Sequence, residues 1–527
     1  MSVTDRTAIG YAVIIALGGF LFGFDAAVIS GVVGFVTTQF ELNDWWTGAI
    51  VSAPSMAAML AALTVGPLAD YVGRKPVMLG LALLYTISAA ASALAPDPLT
   101  LVVARFIGGL AFGTLMLAPI YIAELAPARL RGRMVSINQL NIVIGFSAAY
   151  FANFFILGAS ESGAPWAQSI GLDQHVWRYM LGLEVLPAAS YCFLMLLAPE
   201  SPRYLVLQGR TDEAQHILAR IAPSAMIPEL INSIRSSAQE ATRGLWSKLR
   251  ALLHPDLRLV LIVGLIAGIA QQSSGINVVF FYAPTIFEQS GVGTNAAFAQ
   301  ATYVGIINVA FTILAMVLID RLGRRPLMLA GLAGVAITMM VSAYGFYTAY
   351  YELPIGALSE LASASTDDLS PLLALEGLRF ESDTQFKHAV AELIGRNALN
   401  ANEAALLQSA VVINARLVLF GILGFVASFA FSLGPVMWVL FSEIFPNHLR
   451  GVCMALMGVV NAAVSTGVQF IFPWELATLG SAGTFLLFGL TAIVFLVLLA
   501  WLMPETKGKS LETLELELAA TARAAHA

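Results

Sequence analysis

The sequence predicts an all-α membrane protein whose twelve transmembrane helices form two pseudo-symmetric six-helix bundles. The first observation is composition: of 527 residues, 58% are hydrophobic and only 11% are charged, whereas about 25% are charged in an ordinary soluble domain. This composition excludes a soluble enzyme. Lys and Arg (27) are fewer than Asp and Glu (33) and form no basic tract, which excludes a nucleic-acid-binding protein.

The second observation is a series of twelve apolar stretches, each close to the roughly 20 residues that a helix needs to cross a bilayer. They lie near residues 9–35, 45–67, 77–95, 99–121, 134–157, 177–197, 258–287, 297–319, 326–350, 411–441, 452–474 and 482–503. The first stretch carries Asp25 and has no obvious cleavage site. We therefore predict that it is a span and not a cleaved signal peptide.

The third observation is an internal repeat of charged motifs that follow the spans. Asp70 to Pro76 recurs as Asp320 to Pro326 at an offset of 250, Glu124 with Arg131 recurs as Glu443 with Arg450 at 319, and Pro199-Glu200 recurs as Pro504-Glu505 at 305. The jump in offset locates an insertion in the second half. Two parallel repeats of six spans are typical of transporters whose site lies between the halves.

The repeat defines the predicted domains. They are an N-terminal bundle at 1–198, a cytoplasmic linker with short helices at 199–257, a C-terminal bundle at 258–503 with an extracytoplasmic insertion at 351–408, and a cytoplasmic tail at 504–527. In the linker we expect a helix from Pro228 to Leu253. The insertion has nine acidic and three basic residues. We expect one or two short helices there, favouring a cap near the outer mouth over a disordered loop or a partner-docking module.

The basic residues predict the orientation, because Lys and Arg near span ends stay in the cytoplasm. With both termini inside, 21 of the 27 lie in cytoplasmic segments. No Asn-x-Ser/Thr sequon is present, so we expect a multi-pass protein of a bacterial plasma membrane. Cys192 and Cys453 lie in apolar runs, which predicts neither a disulfide framework nor a cysteine-rich metal site.

Five motifs together resemble those of the sugar porters of the major facilitator superfamily, over essentially the whole chain except 351–408. They are Gly66 to Pro76, Arg105 to Gly109, Pro199 to Leu205, Gln271 to Asn277, and Pro504 to Gly508. The resemblance implies a secondary active transporter, not an enzyme, that imports a hexose or pentose with H⁺ by alternating access. It implies no cofactor, no metal and a monomer in the bilayer. A facilitative uniporter, a myo-inositol (cyclitol) symporter and a transport-inactive sugar receptor stay open as alternatives.

Asp25, Arg105 and Glu184 are ionisable residues inside predicted spans of the first half. A charge at the bilayer centre costs at least about 2.5–3.5 kcal/mol, so such residues are functional hypotheses by default. The resemblance implies that Asp25 carries the proton, that Arg105 is its ion partner and that Glu184 lies beside them. The alternative is a static ion pair that stabilises helix packing.

Amides and an indole suit a sugar, since each sugar hydroxyl both donates and accepts hydrogen bonds. The resemblance implies substrate-binding residues at Gln139, Gln271, Gln272, Asn277, Asn308, Trp438 and Asn461. It implies lining or gating aromatics at Phe22, Phe24, Phe281 and Tyr282. The alternative for the amides is interhelical hydrogen bonding. Ala26, Phe146 and Ala462 depart from the family pattern, which leaves the exact sugar open.

Ten charged residues at predicted cytoplasmic span ends form the last candidate group. They are Asp70, Arg74, Glu124, Arg131, Glu200, Asp320, Arg324, Glu443, Arg450 and Glu505. Acid and base recur together at repeat-related positions, which indicates salt bridges that tie the halves together when the cavity faces outward. Ordinary topology charge is the alternative.

Overall fold

The computed structural model describes residues 3–127, 129–223, 226–240, 257–364, 367–446 and 449–507. Ten helices in this part of the chain are long and apolar enough to cross a membrane. Two of the twelve predicted spans are not counted separately among these ten helices. The sixth is divided into Val176–Gly182 and Val185–Met195, and Arg450–Leu502 holds two spans joined at a bend where Gly480 has a φ of 70°.

The helices of the first half follow the predicted apolar stretches. Spans one to six are Val3–Val28, Asp44–Val72, Arg74–Ala93, Pro98–Ala111 with Thr114–Leu125, Arg131–Glu161, and Val176–Gly182 with Val185–Met195. Ile29–Gly31, Val33–Gln39 and Pro165–Ser169 are short helices in the connections. Side-chain oxygens cap the starts of two spans: Asn43 accepts from the Trp46 N–H, and Asp97 accepts from the Thr100 N–H, which satisfies N–H groups that a helix leaves unpaired.

The second half repeats the arrangement with one helix more strongly interrupted. Span seven is Arg258–Ser273, Ile276–Phe281 and Ala283–Glu288, span eight is Thr294–Leu322, span nine is Arg324–Tyr347, span ten is Ala415–Ala430 with Leu433–Ile444, and spans eleven and twelve lie within Arg450–Leu502.

The linker helices pack on the first half. They are Pro202–Leu207, Thr211–Ile221 and Ile227–Glu240. Leu218, Ile221 and Ile231 are buried in the same apolar cluster as Ala8 of span one and Leu125 of span four. The predicted helix from Pro228 to Leu253 is present as far as Glu240; its remaining residues lie outside the described ones.

The insertion is a folded unit, which we call the cap (residues 350–412). A three-stranded antiparallel sheet of order β2-β1-β3 forms its base, with β1 at Tyr350–Glu352, β2 at Arg379–Phe380 and β3 at Val411–Val412. Its helices are Ala357–Ala364, the 3-10 helix Ser370–Leu375, Asp383–Ile394 and Arg396–Ala410. One or two short helices are predicted for the insertion, and its described residues form more than that, together with a sheet that was not predicted. Strands of two or three residues are too short for an alternating pattern to show.

The bundle has two ends. The end that carries the cap is called the cap end, and the end that carries the linker helices Pro202–Leu207, Thr211–Ile221 and Ile227–Glu240 is called the linker end. β1 follows span nine and β3 precedes span ten, with Tyr350 paired to Val412. The paired strands β1 and β3 therefore connect the cap to the second half, between spans nine and ten.

Candidate functional site

A buried ion pair lies in the centre of the first half. Arg105 Nη1 is 3.2 Å from Asp25 Oδ1, and both side chains are almost completely buried. Arg105 Nε also donates to the Ile50 carbonyl at 3.2 Å. These contacts join spans one, two and four. Because a lone charge in such surroundings is strongly disfavoured, each group of the pair needs the other.

The Asp25 carboxylate is only half satisfied. Its Oδ2 atom is buried and has no hydrogen-bond partner among the described residues, and it lies beside Gly108, where an added Cβ would also meet Ser88. Glu184 is buried between the two helices of span six, within electrostatic range of Asp25 and Arg105. The structure therefore brings the three predicted charged residues together and leaves one carboxylate oxygen free to accept a proton.

A cluster of amide side chains lies in the second half. Gln272 Nε2 donates to Asn461 Oδ1 at 3.0 Å, and Asn277 Nδ2 donates to Gln272 Oε1 at 2.9 Å. Asn461 Nδ2 donates to Gln271 Oε1 at 2.9 Å. Four of the seven predicted substrate residues thus form one hydrogen-bonded group between spans seven and eleven.

The break in span seven gives this cluster its shape. Gly275 has a φ of 85°, the left-handed conformation that glycine adopts without strain. It separates the Arg258–Ser273 helix from the Ile276–Phe281 helix. Gln272 and Asn277 lie on opposite sides of the break, and their side chains meet across it.

Three predicted substrate residues have no hydrogen bond to this cluster among those the structure describes. Gln139 is half-buried in span five, and Asn308 is buried in span eight. Trp438 of span ten keeps 36% of its surface exposed and stands edge-on to Phe441 with ring centroids 5.8 Å apart. Their predicted contact with a sugar stays a prediction.

Aromatic side chains connect the two halves. Phe146, one of the three residues that depart from the family pattern, lies between Phe22 at 6.2 Å and Phe280 at 4.7 Å, measured between ring centroids. Phe22 also contacts Phe112. Phe146 is thus part of a row of rings that crosses from span one to span seven.

The other predicted aromatics are buried. Phe24 and Phe281 are almost inaccessible, and Tyr282 contacts Phe472 with ring centroids 4.8 Å apart. The Tyr282 hydroxyl also donates to the Gln469 carbonyl at 3.4 Å.

The halves meet at the cap end. Tyr150 of span five donates its hydroxyl to the Phe280 carbonyl at 2.6 Å, and Ser55 of span two donates to Gln469 Oε1 of span eleven at 3.0 Å. Asn295 donates to Glu161 at 2.7 Å. These hydrogen bonds between the two bundles all lie in this part of the molecule. The arrangement is therefore closed at the cap end.

Sequence reasoning missed Ser465, Gln469, Ser55 and Tyr150. Ser465 accepts from Asn277 at 2.7 Å and from Gln469 at 2.6 Å, so a continuous polar path runs from the amide cluster to the contact between the halves. The signal was weak, because serine and tyrosine are common in spans, but Gln469 is a buried amide in an apolar run and could have been singled out.

The charges of the linker end form two equivalent groups, one in each half. Arg74 contacts Asp70 at 2.8 Å and Glu124 at 3.1 Å. Arg324 contacts Glu443 at 2.8 Å. The side chain of Asp320 is outside the described part. The predicted salt bridges thus lie within each half in this conformation, and their predicted role in joining the halves concerns the opposite conformation.

Glu200 and Glu505 have a more specific role than topology charge. Glu200 Oε1 accepts from the N–H groups of Arg74 and Lys75 at 2.9 and 3.2 Å. Glu505 accepts from those of Arg324 and Arg325 at 3.1 and 3.2 Å. Each carboxylate therefore caps the start of a span, where unpaired N–H groups and the helix dipole favour negative charge.

Among the described residues, neither of the remaining two gate candidates has a carboxylate partner. Arg131 donates through Nε to the Ala123 carbonyl at 3.1 Å. The buried Nε and Nη2 atoms of Arg450 have no hydrogen-bond partner in the same part of the chain. Within the described residues, the Arg450 guanidinium is thus incompletely hydrogen-bonded while the cap end is closed.

Comparisons with known proteins agree with this architecture. The profile of a family described as "Sugar (and other) transporter" matches residues 11–355 and 398–518. The chain is 34% identical over 523 residues to the arabinose-proton symporter of Bacillus subtilis, covering 97% of this chain and 96% of that protein. It is 32% identical over 532 residues to the D-xylose-proton symporter of Escherichia coli, covering 95% and 93%.

A solved structure of the xylose transporter XylE from E. coli in an inward-open conformation is also similar. The TM-score is 0.72 at 29% sequence identity, covering 96% of this chain and 98% of that one. The twelve-span fold is thereby that of the major facilitator superfamily.

Proposed function

Because the chain belongs to the sugar porter family of the major facilitator superfamily, and is thus a multi-pass membrane transporter and not an enzyme, we propose that it imports a monosaccharide together with H⁺ by alternating access. The substrate is a pentose or hexose, in keeping with the arabinose- and xylose-proton symporters that it resembles. The observation that carries the proposal is the combination of a buried Asp25–Arg105 pair in one half with an uncharged amide cluster in the other.

The amide cluster supplies the sugar site. Gln272, Asn277 and Asn461 hydrogen-bond to one another, and a sugar exchanges these contacts for paired hydrogen bonds to its hydroxyls. A solute without matching hydroxyls would leave buried amides unpaired, which costs about 1–3 kcal/mol per group. Gln139, Asn308 and Trp438 complete the site when the halves close around the sugar.

The ion pair supplies the proton step. Asp25 Oδ2 is the free acceptor, and protonation cancels the carboxylate charge that Arg105 otherwise balances. The loaded carrier can then rearrange without an unpaired buried charge. A proton that falls through about 100 mV provides about 2.3 kcal/mol, and Glu184 lies where it can accept or pass on that proton.

The orientation follows the basic residues, with both termini in the cytoplasm of a bacterial cell. The cap end then faces outward, and the conformation described is closed to the outside. When the linker end closes in turn, we propose that Arg131 and Arg450 find carboxylate partners across the halves. Phe22, Phe24, Phe281 and Tyr282 line or gate the path, and the protein works as a monomer.

The test is reconstitution of the purified protein in liposomes with an imposed pH gradient and membrane potential. We expect arabinose, xylose or glucose to accumulate above its outside concentration with measurable H⁺ entry. Equilibration without accumulation would support a uniporter, uptake of myo-inositol alone would support a cyclitol symporter, and binding without uptake would support a receptor. Each of these three results would overturn the proposal.

A further inference from the structure

The cap contains a segment that the family profile does not match. Residues 356–397 lie between the two stretches that match the family profile. The segment is nevertheless part of an ordered unit with its own apolar core, in which Leu353, Leu372, Phe386, Val390 and Leu406 are fully buried. A folded insertion of this size at the mouth of a transporter calls for a physical role.

The cap is fixed to the second half through a buried carboxylate. Asp383 Oδ2 accepts from the N–H and the hydroxyl of Ser481 at 2.8 and 2.9 Å, and the Asp383 side chain is buried. Ser481 directly follows the bend at Gly480 and begins span twelve. Asp383 therefore caps this span from outside, which resists movement of the cap relative to the second half.

A second attachment is made to the end of span seven. Lys387 Nζ lies 2.6 Å from Gln289 Oε1 and 2.6 Å from Glu403 Oε1, and Gln289 Nε2 donates to Glu403 at 2.9 Å. Gln289 is buried and follows directly after the Ala283–Glu288 helix. The cap thus holds the same broken helix that carries Gln272 and Asn277.

The cap also reaches the first half. Asn397 Nδ2 donates to Glu41 Oε2 at 2.8 Å, and Glu41 lies in the connection between spans one and two. The charges of Arg396 and Lys387 act in addition on the Asp44 carboxylate at the start of span two. Asn397 and Glu403 belong to one helix, Arg396–Ala410, so a single rigid element contacts both halves.

We propose that the cap is a latch of the alternating-access cycle: it moves with the second half and binds the first half at Glu41 only while the cap end is closed. The proposal rests on the alternating access of the proposed function. Separation of the halves at this end would break the Asn397–Glu41 contact, whereas the Asp383 and Gln289 contacts would persist. A contact present in only one of two states shifts the equilibrium toward that state.

The test measures the distance across the cap end, without sugar or gradients, in nanodiscs. Spin labels are attached at the exposed positions Ser162 and Thr478 (S162C, T478C) in a background without the native cysteines (C192A, C453A). We expect N397A and E41A each to raise the ratio of open to closed populations about two- to fivefold, as for a single exposed contact. The double variant should open no further than either single variant.

The matched control is N402A. Asn402 lies on the same helix, but its side chain donates to Asp367 and to the Ala398 carbonyl inside the cap. N402A should leave the ratio unchanged. An unchanged ratio in N397A, or an equal shift in N402A, would overturn the latch.

A larger variant replaces residues 352–410 by Asn-Gly, so that Tyr351 and Val411, which are already paired, become the ends of a two-residue hairpin. Its open population should exceed that of N397A, and a population as closed as the wild type would overturn the proposal; if it fails to fold, the point variants decide. Because the distance is measured without transport, it tests the latch even if the protein takes up no sugar in liposomes.

Discussion

The two halves of the transporter share a framework but differ at their centres. In both halves a carboxylate caps the start of a span: Glu200 does so in the first and Glu505 in the second. The preceding glycines, Gly73 and Gly323, have φ values of 114° and 98°. The centre of the first half, in contrast, holds the charged Asp25–Arg105 pair, and that of the second holds neutral amides.

One architecture can thus serve two chemistries. Helix ends need the same capping in both halves because their unpaired N–H groups are the same. In the proposed function the two centres bind different partners: a proton requires a group that changes charge, and a sugar requires groups that donate and accept without changing charge. The repeat is therefore retained at the linker end and lost at the midplane.

The largest expected effect is that of Asp25→Asn, which removes the proposed proton carrier from the charged centre. One proton could support an approximately 50-fold sugar gradient at about 100 mV, and this accumulation should disappear while equilibration continues. Sugar uptake into energised liposomes measures both. The control is Asp97→Asn, which changes an exposed carboxylate at the N-terminal end of span four and should leave accumulation intact. Accumulation by the Asp25→Asn variant would show that Asp25 of the first half is not the proton carrier.

A smaller effect is expected from Asn461→Ala in the neutral centre. Gln271 and Gln272 would lose a shared partner, and the sugar would lose a hydrogen-bonding group, so the half-saturation constant should rise about 10- to 100-fold, equal to about 1.4–2.7 kcal/mol. The maximal ratio of H⁺ to sugar should not change. Asn414→Ala, at an exposed helix cap, is the matched control. A changed H⁺ ratio with unchanged affinity would show that the division between the halves is wrong.

The shared framework predicts equal effects from Glu200→Ala and Glu505→Ala. Each variant leaves two N–H groups at a span start without their acceptor, so each should lower the free energy of unfolding by about 1–2 kcal/mol. Thermal unfolding in detergent measures the loss, and Glu213→Ala, on an exposed linker helix, should change the midpoint little. A large loss in one half alone would contradict the equivalence.

The smallest effect concerns pH at the cap. Burial would raise the pKa of the Glu403 carboxyl, but the charge of Lys387 and the hydrogen bonds from Lys387 and Gln289 outweigh it and hold the pKa below its ordinary value. Glu288 and Asp44 also act electrostatically at this cluster.

Since the folded-state pKa of Glu403 is depressed, its stabilisation is fully present above the ordinary value of about 4.5 and is lost as pH falls through the lower folded-state value. Glu403→Gln should therefore lower cap order near neutral pH, because the amide lacks the charge that pairs with Lys387, and it should abolish the further loss of order on the acid side. Hydrogen exchange of the Arg396–Ala410 helix measures both. An unchanged acid-side loss would assign it to another carboxylate.

The spans, the repeat and the charged centre were predictable from the amino-acid sequence alone. Apolar runs of bilayer length allow few other structures, since backbone polar groups in lipid must be satisfied within a helix. The burial of Asp25 beside Arg105 was predictable for a related reason, because each needs a partner of opposite charge in hydrocarbon. The rest of the family assignment came from the order of the five motifs along the chain.

The hydrogen-bond partners of the side chains, in contrast, depend on how the helices pack. An amide such as Gln272 can bond with many groups, and the choice of Asn461, Asn277 and Ser465 depends on how spans seven and eleven pack. The capping by Glu200 joins residues 126 positions apart, and the sheet of the cap pairs strands too short to show a pattern. Local hydrophobicity specifies that a helix crosses the membrane, whereas contacts distant in sequence exist only once the helices have packed.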